Sequence, residues 1–326
     1  MNNRSKIVAL ALLFAAIAML FLPGCSNKTA LTTGLSSGSI TWDGLERTYL
    51  VYVPYSYDGT QSMPLVIVLH GGGGTAQGMI DLTYKGFNNL AEEDNFVVVY
   101  PQGTSSSAAI GTRWNDGRNE EYCQADDVGF ISTLIDRLEQ TLDIDTDRVY
   151  ATGISNGAHM CMRLTRELSD RIAAVAAVAY SMQEKYASTP VSTEPVSVLV
   201  MTGTEDPFTP WEGGETPDAT GERMLGMILS APETIDVIIA DDNCSSTPAV
   251  AWETDTAPLD GTRVRTETYS GCSDGTEVIL YAIDGGGHTW PGGWQYLPEI
   301  VIGRTSMDID ANEVIWDFFQ RHSKQQ

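Results

Sequence analysis

A series of short, almost uninterrupted apolar runs punctuates the chain: 64–70 (PLVIVLH), 96–100 (FVVVY), 148–152 (RVYAT), 172–179, 196–202 (VSVLVMT) and 278–283 (VILYAI). A strand that is apolar on both faces has to be covered on both faces, which is the situation of a parallel sheet packed between helices. The intervening segments can supply those helices. Over 127–142, Phe130, Leu134 and Leu138 recur at helical spacing, with Ile131 and Ile135 beside them. Ser230-Ala-Pro-Glu233 has the form of a capping box opening a helix that ends near Asn243. Asp310-Ala-Asn-Glu313 has the same form and opens a last helix burying Val314, Ile315, Phe318 and Phe319. Ahead of all these, 40–53 reads as a hairpin turning at Asp43-Gly44. The alternation predicts an α/β fold with a mostly parallel central sheet and helices on both faces.

The first 24 residues read as an address rather than as part of that fold. Arg4 and Lys6 precede an apolar run over 7–22, and Leu22-Pro23-Gly24-Cys25 follows in the order of a lipoprotein cleavage site. We therefore expect 1–24 to be a signal peptide and Cys25 to carry a lipid that anchors the chain to a membrane. Residues 25–38, rich in Ser, Thr and Gly, read as a flexible tether, and 39–326 as one α/β domain. The rival is an uncleaved membrane anchor, for which an apolar run of about sixteen residues falls short of the ~20 that span a bilayer. Either way the body of the protein is expected outside the cytoplasm. A formal net charge of −24 repels polyanions, so nucleic acid is excluded as a partner.

Five cysteines are present, and with Cys25 assigned to the lipid four remain for an oxidising compartment. These allow three pairings. Cys244 and Cys272 flank one insertion-like stretch and form the favoured bridge, which leaves Cys123 with Cys161. No CxxC or Cys/His spacing supports zinc, so neither metal nor cofactor is expected.

Gly153-Ile-Ser155-Asn-Gly157 lies directly between the run RVYAT and an apolar helix beginning near Asn156. That is the context of a nucleophile elbow, a strained strand-to-helix turn that only small flanking residues permit and that lifts a serine out of the sheet. Taken alone the pattern is weak; its position makes it strong. A serine nucleophile needs a base, and the chain has four histidines. His70 ends a strand, His159 follows the elbow, and His322 lies near the C-terminus. His288 sits in the glycine-flanked loop 285–293 (GGGHTWPGG) after VILYAI, and the order serine, acid, histidine requires the base to come last. The acid should end a strand between them, which points to Asp206 in GTEDP, with Glu205 as runner-up. Backbone N–H groups of Asn156 and of the 71–74 glycine run, Gly72 foremost, are the candidate oxyanion donors, with His70 bracing that loop. Trp114 and Trp290 could offer ring faces to a substrate or could cap the core; Trp290 is read here as pocket. Asp126 and Asp127 read as helix N-caps.

YPQG (100–103), WND (114–116), DDVGFI (126–131), TGISNG, GTEDP, GHTWPGG and the closing DIDANEVIWDFF together resemble the secreted polyhydroxybutyrate depolymerase / feruloyl esterase group, over nearly the whole chain after residue 38. The resemblance implies the α/β-hydrolase fold, a Ser155–His288–Asp206 triad without metal, and action on short-chain, polyester or hydroxycinnamoyl esters. Two rival classes stand beside it: a serine peptidase using the same triad, and a polymer-binding lipoprotein that has lost catalysis. The region 211–226 and the residues His159, Cys161 and Met162 depart from the group's pattern and leave substrate choice open.

Overall fold

The structure, a computed structural model, describes residues 32–107, 111–118, 123–188, 194–217 and 224–324. The expected signal peptide, Cys25 and most of the tether therefore lie outside the described residues. In chain order the elements are β1 (Gly34–Trp42), β2 (Leu45–Val53), β3 (Met63–Leu69), α1 (Ala76–Leu82), α2 (Gly86–Asp94), β4 (Val97–Pro101), β5 (Thr104–Ser107), β6 (Gly111–Arg113), α3 (Asp127–Thr141), β7 (Ile144–Ile154) and α4 (Asn156–Glu167). There follow β8 (Ala174–Val178), β9 (Ser197–Gly203), β10 (Gly214–Pro217), β11 (Met224–Ile228), α5 (Ala231–Asp241), β12 (Ala249–Trp252), β13 (Arg263–Tyr269), β14 (Val278–Asp284), α6 (Glu299–Ile302) and α7 (Ala311–Gln320).

One large sheet runs β1-β2-β4-β3-β7-β8-β9-β14-β13-β12. From β4 to β14 every pairing is parallel, and the two strands at each edge are antiparallel. The apolar runs are the parallel strands, and their alternation splits them between two cores. In β3, Leu65, Ile67 and Leu69 face the layer formed by α3, α4 and α5, while Val66 and Val68 face α1, α2 and α7. Such strands look continuously apolar in sequence because neither face meets water.

Several local readings change on contact with the structure. Gly34 to Gly38, read as the end of the tether, are already strand: each pairs with β2, and the hairpin turns at Asp43-Gly44. Ser230 and Glu233 make both bonds of a capping box on α5. On α7 the Asp310 carboxylate caps the helix through the Asn312 amide rather than through that of Glu313. Val314 is half-buried there and Trp316 takes the core position instead, stacked on Phe96 at 3.8 Å between ring centroids.

The Cys244–Cys272 disulfide is present, tying the end of α5 to the turn after β13. The second expected bridge is not: Cys123 and Cys161 are both free and buried. Cys161 points from α4 into the core, while Cys123 sits by the Thr104 hydroxyl at 3.3 Å. A bridge needs Cα atoms within about 7 Å and facing Cβ vectors, which residue count alone does not supply.

Candidate active site

The turn between β7 and α4 is the most constrained piece of backbone in the chain. Ser155 holds φ 56° and ψ −117°, a left-handed conformation that L side chains rarely adopt, at the N-cap of α4. Its neighbours show why glycine flanks it. A Cβ on Gly153 would lie 2.7 Å from the Leu69 carbonyl oxygen, and one on Gly157 would lie 2.7 Å from that of His70. Strand β3 thus runs so close beneath the elbow that only glycine fits on either side. The strained serine is held by its own amide, which donates to the Val178 carbonyl at 2.9 Å, and by its carbonyl, which accepts from His159 at 2.9 Å. Its side chain is half-buried, at the end of β7 where the sheet gives way to loops.

Two strands further along the same edge, β9 ends and Asp206 follows. Its carboxylate accepts the backbone amides of Phe208 at 2.8 Å and Thr209 at 2.7 Å, and both its oxygens face His288 Nδ1, at 3.0 and 2.8 Å. The pair is buried, with Asp206 at 4 % and His288 at 6 % exposure. Glu205 is exposed and makes no such contact, so the runner-up acid falls away. His288 is held from three further sides. Its amide donates to the Ile302 carbonyl, Tyr296 Oη donates to its carbonyl at 3.0 Å, and Phe208 lies edge-on to its ring at 5.3 Å. With Nδ1 facing the carboxylate, that nitrogen carries the hydrogen and Nε2 presents a lone pair.

The glycine loop after β3 is braced by His70. Its Nε2 accepts the Gly103 amide at 3.0 Å, which places the hydrogen on Nδ1, and Nδ1 donates to the Gly71 carbonyl at 2.7 Å. Burial lowers the pKa of His70 from 6.5 to about 4, so the ring stays neutral and the tautomer fixed at neutral pH. Gly73 and Gly74 spend their amides on the carbonyls of Thr112 and Gly71. The Gly72 amide has no acceptor among the described residues, and a Cβ placed on Gly72 would lie 3.8 Å from Asn156 Cβ. Gly72 and Asn156, the first residue of α4, are therefore neighbours across the elbow. A first-turn amide has no partner within its own helix, so Gly72 and Asn156, neighbours at the elbow, each carry an N–H without an acceptor among the described residues.

Trp290 has a different place from the one expected, and Trp114 takes the core alternative left open for it. Trp290 is 0 % exposed and packs edge-on to Phe87 at 6.1 Å, and Trp114 is 1 % exposed with Nε1 donating to the His70 carbonyl at 2.9 Å. Neither offers a ring face to a substrate. Trp290 is core rather than pocket because two residues past His288 the chain has already turned under the loop, where the Gly293 amide donates back to the Trp290 carbonyl. Asp126 caps α3 through the Gly129 amide, but Asp127 does not cap. It is buried against Arg47 at 2.5 Å and also accepts the Asn115 amide at 2.6 Å.

Sequence reasoning passed over the groups that hold this site together: Gln102, whose side chain reaches His70 Nε2 at 3.0 Å, Tyr296, and the segment 114–118. Trp114 and Asp116 were visible as part of WND, but a motif shows which residues recur together and not which atoms meet. Among the described residues, no group of His, Cys, Asp or Glu has the makeup of a metal site.

A mostly parallel sheet with helices on both faces, bearing a strained serine elbow, an acid and a histidine in that order along one edge, defines an α/β-hydrolase. The family model described as esterase PHB depolymerase matches residues 47–198. NocK, an esterase candidate of Nocardia uniformis subsp. tsuyamanensis, is 31% identical over 264 residues, covering 79% of this chain and 74% of that one. Feruloyl esterase C of Emericella nidulans is 24% identical over 301 residues, covering 91% and 90%. Among solved structures, the acetyl xylan esterase from Aspergillus awamori has the same fold, with a TM-score of 0.55 at 17% identity over 87% of this chain and 99% of that one. The chain belongs to the esterase PHB depolymerase family and is a carboxylic ester hydrolase.

Proposed function

We propose that the protein is an extracytoplasmic serine ester hydrolase that works through an acyl-enzyme on short-chain, polyester (polyhydroxybutyrate-type) or feruloyl- and acetyl-polysaccharide esters. The observation that carries the mechanism is the buried Asp206–His288 pair at the sheet edge that also ends in the strained Ser155 turn. Ser155 Oγ attacks the ester carbonyl while His288 Nε2 takes its proton. Asp206 keeps the imidazole in the tautomer that leaves Nε2 free and stabilises the imidazolium that forms. The carbonyl oxygen, negative in the tetrahedral intermediate, is met by the amides of Gly72 and Asn156. Backbone donors aimed at that oxygen are typically worth about 3 kcal/mol each. His288 then protonates the departing alcohol, and water repeats the sequence on the acyl-serine. No cofactor enters any of these steps.

Support for the substrate classes comes from relatives named for feruloyl and acetyl-xylan esters. Support for a site outside the cytoplasm comes from the leader at 1–24, from Cys25 as its lipid-bearing end, and from the Cys244–Cys272 disulfide, a bond that persists in oxidising compartments. The test is a matched panel of p-nitrophenyl acetate and butyrate, methyl ferulate, acetylated xylan, a hydroxybutyrate oligomer and a peptide p-nitroanilide. Each is assayed with the chain from Thr32 onward and with its Ser155→Ala variant. Hydrolysis of at least one ester, lost in the variant, is the expected result. A folded protein that cleaves only the anilide, or none of them, contradicts the proposal.

A further inference from the structure

Beside the elbow lies a buried carboxylate that the mechanism above does not use. Asp116 is 6 % exposed and follows the strand pair β5–β6 in the segment 114–118. One of its oxygens, Oδ2, accepts from the side-chain amide of Asn156 at 2.5 Å and from Arg118 Nε at 2.7 Å, while Oδ1 accepts the Arg118 backbone amide at 3.0 Å. Burial would raise its pKa, but the Arg118 guanidinium and these hydrogen bonds outweigh that and hold the carboxyl below its ordinary value. It is an anion at neutral pH, so its bond to Asn156 is charge-assisted and stronger than a neutral pair.

The rest of the Asn156 side chain is clamped as well. Its Oδ1 accepts the Trp114 amide at 2.7 Å, and its Nδ2 donates to the Trp114 carbonyl at 3.1 Å, so both Nδ2 hydrogens and the oxygen are engaged. The segment that supplies these partners is itself pinned. The Asn115 carbonyl accepts from Arg163, two turns along α4, at 2.7 Å, and the Asn115 amide is held by Asp127. Segment 114–118 is thus riveted to α4, and it meets the proposed reaction centre through the Asn156 side chain and through Trp114, whose Nε1 donates to the His70 carbonyl.

We propose that Asp116 is a positioning residue of the oxyanion hole: by fixing the Asn156 side chain it fixes the plane of the Ser155–Asn156 peptide whose N–H meets the oxyanion. The inference rests on the reading of Asn156 as an oxyanion donor given above. That peptide follows a residue held at φ 56° and ψ −117°, so rotation of the plane would relieve strain at the expense of the donor's aim. A hydrogen bond to developing charge is worth most when the donor is already pointed. A side-chain lock one bond away from the donor supplies that aim, much as second-layer partners orient metal ligands, where their loss costs about 10- to 100-fold in activity.

The test compares Asp116→Ala, Asp116→Asn and Asn156→Ala, the last of which keeps the backbone N–H and removes only the lock. For Asp116→Ala and Asn156→Ala we expect kcat to fall about 10- to 50-fold with KM within about threefold. Affinity for an alkyl boronic acid, which forms a tetrahedral adduct on serine, should fall in parallel. The double variant should be no slower than either single one, because both break the same lock. Asp116→Asn retains an oxygen to accept from Nδ2 and should return kcat to within about threefold of the unsubstituted chain. Unchanged kcat in a folded Asp116→Ala protein, a rise in KM alone, additive losses in the double variant, or an Asp116→Asn protein as slow as Asp116→Ala would each overturn the inference. Should Asp116→Ala not fold, Asn156→Ala decides: a 10- to 50-fold loss supports the lock and an unchanged kcat sinks it. Ser155→Ala, assayed alongside, keeps the two readings apart, since residual activity there overturns the site itself rather than its positioning.

Discussion

At the scale of single residues, the chain spends its glycines where backbones nearly touch. Gly153 and Gly157 flank Ser155 not for flexibility but because the carbonyls of β3 and His70 leave no room for a Cβ. Gly157→Ala should therefore cost about 3 kcal/mol or more, by the overpacking route in which the elbow or β3 has to shift. Gly72→Ala, whose new Cβ would meet nothing closer than Asn156 Cβ at 3.8 Å among the described residues, should change stability by less than about 1 kcal/mol. Urea unfolding of the two variants checks this, and equal losses would show that the elbow tolerates a Cβ. The elbow was legible in the sequence because its requirement is local: two glycines, a serine, a strand before and a helix after. Asp206 and His288 were legible as strand-end residues in the right order. Trp290 was misread for the opposite reason, since exposure is set by what packs above a residue, and nothing within a few positions of it announces that its loop folds under.

Among the elements, the central strands could be read almost residue by residue, because a strand covered on both sides has to be apolar throughout. The hairpin at one edge could be read from its turn at Asp43-Gly44, but the strands at the other edge could not. Strand β12, AVAW, is exposed along its length, and β13, RVRTETY, alternates Arg, Thr and Glu with Val and Tyr. Their strand character comes from pairing with β14 and with each other, which the apolar pattern of neither strand announces. The bridge between Cys244 and Cys272 anchors this antiparallel edge to the end of α5. It closes a loop spanning 28 positions, and the chain-entropy view assigns such a bridge about 3–4 kcal/mol. Cys272→Ser should lower the unfolding free energy by that amount in oxidising buffer and leave the unsubstituted, reduced protein and the variant alike in stability. A variant as stable as the oxidised chain would mean the edge is held by pairing alone. Cys123 and Cys161, free and buried, should remain unreactive toward thiol reagents until the protein unfolds, burial having pushed both thiols up in pKa.

For the molecule as a whole, acid stability follows from buried groups of opposite sign. His70, lowered to about 4 by burial, takes up a proton in the unfolded chain at pH values where the folded chain stays neutral. Stability is therefore lost as the pH falls from about 6.5 to 4, at about 1.4 kcal/mol per pH unit for this group. His159, lowered well below its ordinary value chiefly by burial, acts in the same direction. Asp242 opposes them. Burial raises it to about 6, so the folded chain holds its proton between about pH 6 and 3.8 and gains stability there on acidification. Asp127 and Asp241, raised by burial, act in the same direction as Asp242, but the histidines of the unfolded chain begin to take up protons near pH 6.5, ahead of these carboxyls, and the unfolding free energy should decline between pH 7 and 5. In His70→Gln that decline should be smaller by about 2 kcal/mol. An identical decline in both proteins would show that His70 titrates normally.

The central claim, that Ser155 is the nucleophile of an acyl-transfer site, is tested most directly by trapping it. An alkyl p-nitrophenyl phosphonate reacts at the serine of such a site, because its tetrahedral adduct places an oxygen where the oxyanion forms. Incubated with the chain from Thr32 onward and mapped by tandem mass spectrometry, it should add one phosphonyl group per chain, on Ser155, at the rate at which ester hydrolysis disappears. Ester hydrolysis that persists once Ser155 is fully labelled, or loss of activity through a label on another residue, would contradict the account.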